Sequence, residues 1–402
     1  MKLMTGGIAS LGETLYTGLA MPGALEETKD TRAARRQQRT WARVVRFLAR
    51  IELLIDRVVW GLRQRFGRLG PLQIVSYRGF GTKERVVLRG RVLEASVLER
   101  SLPADSTFRS FRRMLRRFLS RELPEATLNA RLGANSQVGV TDDEGYFALP
   151  IAVPNTAGSS EWLRAEVEVV SAKVRGLVPV HDTVEILIPG ANAELGIISD
   201  IDDTVLQTHV GKRLKMIWVT LSGSAFTRMP FEGTSELYHA LAHGASGEAN
   251  NPVFYVSKSP WNLYDFLVDF LEHHGLPRGP LLLRDIGLHE APPVDHKAAA
   301  VQELLELYPK LPFVLIGDSG ERDPEIYLEA ALRNPRRIVA IYIRDLAREH
   351  QKGDPGSRAH TLSERARAYG TELLWIEHAS QALVHARERG LAAPSGGAKA
   401  PT

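Results

Sequence analysis

Apolar positions along the chain follow three rhythms in turn. Between Thr31 and about Phe66, Trp41, Val44, Leu48, Ile51, Ile55 and Val59 recur at three- and four-residue steps with arginines between them, which predicts helix. Gly70-Pro71 stops it. From Pro71 to about Gly190 the runs VVLRGRVLEA, GVTDDEGYFALPI, RAEVEVVSAKV and HDTVEILIP are short, alternating and rich in valine. Turn residues divide them, so a small antiparallel β-sandwich is expected, with one basic amphipathic helix inserted at about Ser106–Arg121. After Ala193 apolar strands (ELGIIS, PVFYVS, PLLLRD, PFVLIG, IVAIYIR, ELLWIE) alternate with amphipathic helices such as DHKAAAVQELLELYP. That order predicts βαβ units around a parallel sheet covered on both faces.

The expected organisation is therefore an N-terminal helical, partly disordered segment (1–70), a β-sandwich-like domain (71–193), an α/β domain (194–390) and a disordered tail (391–402). About fifty residues separate Asp203 from Ser257, more than one crossover helix needs, which marks an insertion at about 206–250. TDDEG reads as a hairpin turn; it lacks the spaced ligands of a calcium loop.

Composition adds little until its distribution is considered. The net charge is +4, but the basic residues gather before residue 125, in TRAARRQQRTWARVVRFLAR and FRSFRRMLRRFLSR. The absence of cysteine excludes disulfides and thiolate metal sites and favours a reducing compartment. The N-terminus does not read as a signal peptide, and no stretch is long and apolar enough to span a bilayer. The expectation is a cytoplasmic protein, with a peripheral place at the inner face of a membrane as the variant that the basic stretches suggest.

The chemistry collects where ligands of parallel sheets bind, at the carboxyl ends of strands. ELGIIS runs into Asp200-Ile201-Asp202-Asp203-Thr204, PVFYVS into Ser257-Lys258, and PLLLR into Arg284-Asp285. A following helix opens with Asp295-His296-Lys297, and PFVLIG ends at Asp318 in GDSGERD, which also supplies Asp323. Crowded carboxylates are costly without positive charge among them. Clustered oxygens without histidine or cysteine ligands suit a hard cation, and Mg²⁺ fits best. A carboxylate can attack phosphorus, and a metal ion and a lysine at the same rim relieve the repulsion. Residue chemistry alone thus points to phosphoryl transfer and leaves the alcohol undetermined. Arg284 and Arg344 could assist phosphate binding or pair with Asp285 and Asp345. His289 and His296 lack metal-ligand spacing.

DIDDT fits the D-x-D-x-T signature of the haloacid dehalogenase-like (HAD) phosphohydrolases, and Ser257, Lys297 and Asp318…Asp323 stand where that superfamily's later motifs are expected. SDIDDTV, FYVSKSPWNLYDFL, LLLRD, HK and FVLIGDSGERDPEIY together resemble the actin-patch-protein type of phosphatidate phosphatase and its bacterial relatives, over about residues 194–376. The resemblance implies a HAD-like Rossmannoid α/β domain, with the 206–250 insertion as a small cap. It implies Asp200 as nucleophile and Asp202 as general acid/base, with Lys297 pairing with nucleophile and phosphate. Thr204, Ser257, Lys258 and Arg284 fall to loop order and substrate binding. Mg²⁺ falls to Asp200, Asp202, Asp318 and Asp323, the last directly, through water or by orienting Lys297. Asp203 lies outside the signature and is left structural.

The implied substrate is phosphatidate or a related lipid phosphate. GKRLKMIWVTL and FRSFRRMLRRFLSR set basic residues beside aromatic and aliphatic ones, which suits an anionic membrane surface or, equally, packing on a core. No motif for nucleic-acid binding accompanies the arginines. The competing readings are a HAD phosphatase acting on a soluble phosphorylated metabolite, and a non-catalytic peripheral membrane module.

Overall fold

A computed structural model describes residues 72–94, 121–154, 161–172, 178–201, 233–284, 295–345 and 355–394. The expected N-terminal helix, the inserted helix before Arg121 and the last residues of the tail lie outside the described residues.

Strand alternation in the first half becomes eight strands: β1 (Leu72–Gly81), β2 (Arg85–Glu94), β3 (Arg121–Glu122), β4 (Thr127–Leu132), β5 (Asn135–Val140), β6 (Tyr146–Ala152), β7 (Trp162–Ser171) and β8 (Val180–Leu187). They form one hydrogen-bonded sheet in the order β3-β2-β1-β8-β7-β4-β5, with β6 also on β2. In place of two separate antiparallel layers there is a single sheet, and one of its pairings, β1 with β8, is parallel. The sheet curls until β5 meets β6: a Cβ added to Gly139 would lie 2.0 Å from Leu149 Cδ2. The β4–β5 hairpin turns on Gly133, whose φ of +57° suits a two-residue turn. In TDDEG, Asp142 Oδ1 accepts from the Glu144 and Tyr146 amides at 2.9 and 2.8 Å, the self-bonded turn that aspartate favours.

The second half is a six-stranded parallel sheet of β9 (Gly196–Asp200), β10 (Val253–Pro260), β11 (Leu281–Arg284), β12 (Phe313–Asp318), β13 (Ile338–Arg344) and β14 (Glu372–Ile376). The order is β11-β10-β9-β12-β13-β14, so β9, which ends on Asp200, lies inside the sheet. Helices α1 (Thr234–His243), α2 (Tyr264–His273) and α6 (Ala379–Glu388) share one core with Ile197, Tyr255 and Val314. Helices α3 (His296–Leu307), α4 (Asp323–Arg333) and α5 (Pro355–Ala368) share the other with Ile198, Phe254 and Leu315. Both faces of every central strand are buried, which is why these strands read as continuous apolar runs.

Helix α1 falls inside the 206–250 span and is a core helix, since Leu237, Tyr238 and Leu241 pack on the sheet. Residues 206–232 of that span lie outside the described residues. At the carboxyl end the chain stays packed beyond Leu391, because Ala392 is buried in the first core.

The curled sheet packs against the parallel one through aromatic contacts. Tyr77 stacks on Trp261, in the 3₁₀ turn after β10, with ring centroids 4.3 Å apart, and Phe80 meets Phe254 edge-on at 5.7 Å. The Tyr264 hydroxyl accepts from the Arg78 amide at 2.7 Å. Among the described residues no helix is long and apolar enough to cross a membrane.

Candidate active site

Register brings the strand ends together. Asp200 is paired with Val256 of β10, and Ser199 with Ile316 of β12, so Ser257 and Asp318 come level with or just beyond Asp200 at one rim. Asp200, Ser257, Lys297, Asp318 and Asp323 are all wholly buried there. The end of β9 is fixed from below. Ser199 Oγ donates to the Asp200 carbonyl at 2.9 Å, and Tyr238 of α1 completes the chain by bonding the Ser199 hydroxyl. Burial pushes the Tyr238 phenol far up, so it stays neutral and able to donate.

Lys297 is the hub. Its Nζ lies 3.0 Å from Asp200 Oδ1 and 3.2 Å from Glu321 Oε2, and it bonds Asp323 Oδ1 directly. Asp295 caps α3 by accepting from the Lys297 amide at 3.2 Å, which presents Lys297 in the first turn. Burial alone would lower the pKa of this lysine. Asp200 and Asp323 outweigh that and carry it well above its ordinary value, so the ammonium persists.

Asp323 has a role that its position before Pro324 does not announce. It opens α4, but the N-cap residue is Arg322 and no side chain caps the helix. Its carboxylate turns instead to Lys297 and accepts from the Asp318 amide at 3.3 Å. Gly317 makes room for it, because a Cβ there would lie 2.5 Å from Asp323 Oδ2. Asp318 Oδ1 in turn accepts from the Gly320 and Glu321 amides at 2.7 and 3.3 Å, which folds the GDSGERD loop back on itself. Burial raises the Asp323 carboxyl, Lys297 pulls it down and Asp318 raises it again, leaving it pushed up to about 6.

Glu321 is the residue that sequence reasoning missed. Its carboxylate joins Lys258, at 2.6 Å, to Lys297. Burial pushes Glu321 up, but the two lysines outweigh that and hold it below the usual glutamate value. Only its place in the acidic loop between Asp318 and Asp323 could have suggested it.

Oxygen atoms of Asp200, Asp318 and Asp323 lie within 4.8 Å of one another, close enough to share one metal ion. With Glu321 they make four carboxylates against the two ammonium groups of Lys258 and Lys297, a formal balance of −2. An all-oxygen donor set with surplus negative charge fits a hard divalent cation of the Mg²⁺ kind.

The other expected site residues divide. Ser257 lies at the rim, its Oγ accepting from the Ser259 amide at 2.9 Å. Asp202 and Thr204 lie outside the described residues, as do Asp285 and His289. Arg284 ends β11 but makes no ion pair with the carboxylate cluster among the described residues; it lines a neighbouring cavity together with His296.

Residues 195–345 match the family described as the catalytic domain of phosphatidate phosphatase APP1. Phosphatidate phosphatase APP1 of Saccharomyces cerevisiae is 31% identical over 155 residues, 37% of this chain and 26% of that protein. An uncharacterized protein of Schizosaccharomyces pombe is 28% identical over 211 residues, 51% of this chain and 34% of that one. The similarity thus spans about a third or less of these curated relatives. Among solved structures, a carbohydrate acetylesterase from Xanthomonas citri aligns over 79% of this chain and 75% of its own at 8% identity, with a TM-score of 0.33, too slight a likeness to indicate a shared fold. The resemblance to the actin-patch-protein type of phosphatidate phosphatase is borne out over residues 195–345.

Proposed function

Residues 195–345 fall in the catalytic-domain family of APP1-type phosphatidate phosphatases, and on that premise we propose that the chain is a Mg²⁺-dependent, HAD-like phosphomonoesterase. Its substrate is phosphatidate or a related lipid phosphate, and its product a diacylglycerol-type alcohol. The observation that carries the reading is the buried convergence of Lys297 with Asp200 and Asp323 beside Asp318 at one strand rim.

Asp200, Asp318 and Asp323, with Asp202, would hold the Mg²⁺, which when bound offsets the negative charge shared by nucleophile and phosphate. One carboxylate oxygen of Asp200 attacks phosphorus as the bond from phosphorus to the alcohol oxygen breaks, and Asp202 gives that oxygen its proton. The resulting aspartyl-phosphate is opened by water, which passes a proton to Asp202 and returns the Asp200 carboxylate. Lys297, kept charged by its carboxylate partners, orients Asp200 and lies where charge grows on the phosphoryl oxygens. Ser257 and Lys258 contact the phosphoryl group from the end of β10, and Thr204 orders the loop after the nucleophile. Full burial of Asp200 and Lys297 keeps stray water from them. The part of 206–250 that precedes α1 serves as the cap, and the basic stretches hold the protein to an anionic membrane surface.

Phosphate release from phosphatidate in mixed micelles, with Mg²⁺ and with chelator, beside an aryl phosphate, tests this. Mg²⁺-dependent release favouring the lipid is expected, and Asp200→Asn should abolish it with the fold intact. Release from the aryl phosphate alone would keep the mechanism and discard the lipid. Salt-sensitive binding to anionic vesicles checks the membrane part.

A further inference from the structure

A cavity of about 550 Å³ lies between the curled sheet and the edge of the parallel one, and reaches Arg284 at the carboxyl end of β11. Small-molecule sites run roughly 300–1,000 Å³. Tyr77, Tyr146 and Trp261 give it apolar walls, and Arg284 and His296 also line it. His296 immediately precedes Lys297 in the first turn of α3, so one helix start serves both the cavity and the buried cluster.

Most polar groups on the wall are already engaged. Arg89 pairs with Glu303 at 3.2 Å, and the Thr141 hydroxyl donates to the Leu123 carbonyl at 2.7 Å. Asp142 accepts from two backbone amides, and His296 Nε2 meets the Leu282 carbonyl at 3.2 Å. Arg284 differs. It forms no ion pair among the described residues, and its Nε is buried with no hydrogen-bond partner. A guanidinium is always charged, and a buried donor left unmade is unfavourable, so the position calls for an acceptor-bearing occupant.

We propose that this cavity is the subsite for the alcohol portion of the phosphomonoester: an amphiphile whose ester or hydroxyl oxygens face Arg284 and whose apolar chain lies along Tyr77, Tyr146 and Trp261. The inference rests on the phosphatase reading, which puts the phosphoryl group at Asp200 and Lys297. It gives the curled sheet a part in substrate selection, because Tyr77 and Tyr146 come from β1 and β6. Arg284 acts here on the leaving alcohol and so selects the substrate without touching the reacting atoms.

Calorimetric titration of the full chain in chelator, where no turnover is expected, separates the two readings. The probes are dioctanoyl glycerophosphate and plain glycerol phosphate. Two variants probe the cavity: Arg284→Gln removes the free donor, and Ala148→Trp, at an exposed wall position of β6, fills the space without entering the core. Both should weaken the amphiphile at least tenfold and move glycerol phosphate much less, with thermal midpoints near the parent's as the check on folding. Equal amphiphile affinity in the parent and the Ala148→Trp protein would overturn the proposal, as would the absence of amphiphile binding to the parent. Loss of binding in the variants, in a protein that releases no phosphate with Mg²⁺, would keep the subsite and remove the hydrolase. Release from phosphatidate with affinity indifferent to both variants would do the reverse.

Discussion

Lys297 Nζ lies 3.0 Å from Asp200 Oδ1, with both side chains wholly buried. Taking two such charges out of water is unfavourable, and the pair persists because the lysine also holds Asp323 and Glu321. Removing the cation leaves the carboxylates facing one another. Lys297→Met should therefore lose about 3–5 kcal/mol of stability in metal-free protein, together with essentially all phosphate release. Urea unfolding in chelator reads the first effect. An unchanged midpoint would show that the carboxylates take up protons to escape the repulsion.

Glu321 bridges Lys258 and Lys297, so in the proposed mechanism it would compete with a phosphate for the same two lysines. Glu321→Gln should tighten binding of inorganic phosphate and lower the KM for a phosphomonoester by roughly threefold to tenfold, the scale of one net hydrogen bond at about 0.5–1.5 kcal/mol. The measurement is KM and kcat taken separately. A rise in KM would mean that Glu321 instead holds Lys258 in its working position.

The rim was legible in the sequence because it obeys a local rule: a buried strand followed at once by a polar residue puts that residue at the carboxyl edge. Asp200, Ser257 and Asp318 were found so, and Lys297 from its place at a helix start. Asp323 was harder, because the dipeptide Asp-Pro at a helix start looks like capping, and only Gly317, six residues earlier in β12, gives it space to turn inward. Glu321 was invisible because its partners, Lys258 and Lys297, are distant in sequence and meet only in the fold. The parallel pairing of β1 with β8 and the stacking of Tyr77 on Trp261 are long-range in the same way. Alternation of side chains identifies strands and says nothing of which neighbour each will choose.

Gly317 supplies a direct test of how Asp323 is placed. A Cβ there would come 2.5 Å from Asp323 Oδ2 and 2.8 Å from Tyr327 Cε2, closer than real contacts allow. Gly317→Ala should cost about 1–3 kcal/mol, as overpacking does, and should displace the carboxylate from Lys297 and Asp318. The expected signature is a smaller Mg²⁺-induced rise in Tm than in the parent. A normal rise with full activity would show that the loop shifts as a unit and keeps the three aspartates together.

Asp323 also makes stability depend on pH, in a direction that a metal ion bound there would reverse. Its carboxyl is pushed up to about 6 from an ordinary 3.8, chiefly by burial. Between those values the folded chain holds a proton that the unfolded chain has released. The contribution is therefore complete below the unfolded value and is lost as pH rises through about 6. A cation needs the deprotonated carboxylate, so its stabilisation grows over the same range. In chelator, the parent should lose stability relative to Asp323→Asn as pH rises from about 4.5 to about 7. With Mg²⁺ present, the Tm increment of the parent should be larger at the higher pH, and Asp323→Asn should show little increment at either. Thermal unfolding across that range, with and without metal, checks both signs. An increment that is the same at both ends would mean that Asp323 gives up its proton without regard to the ion, and that Asp200 and Asp318 bind it alone.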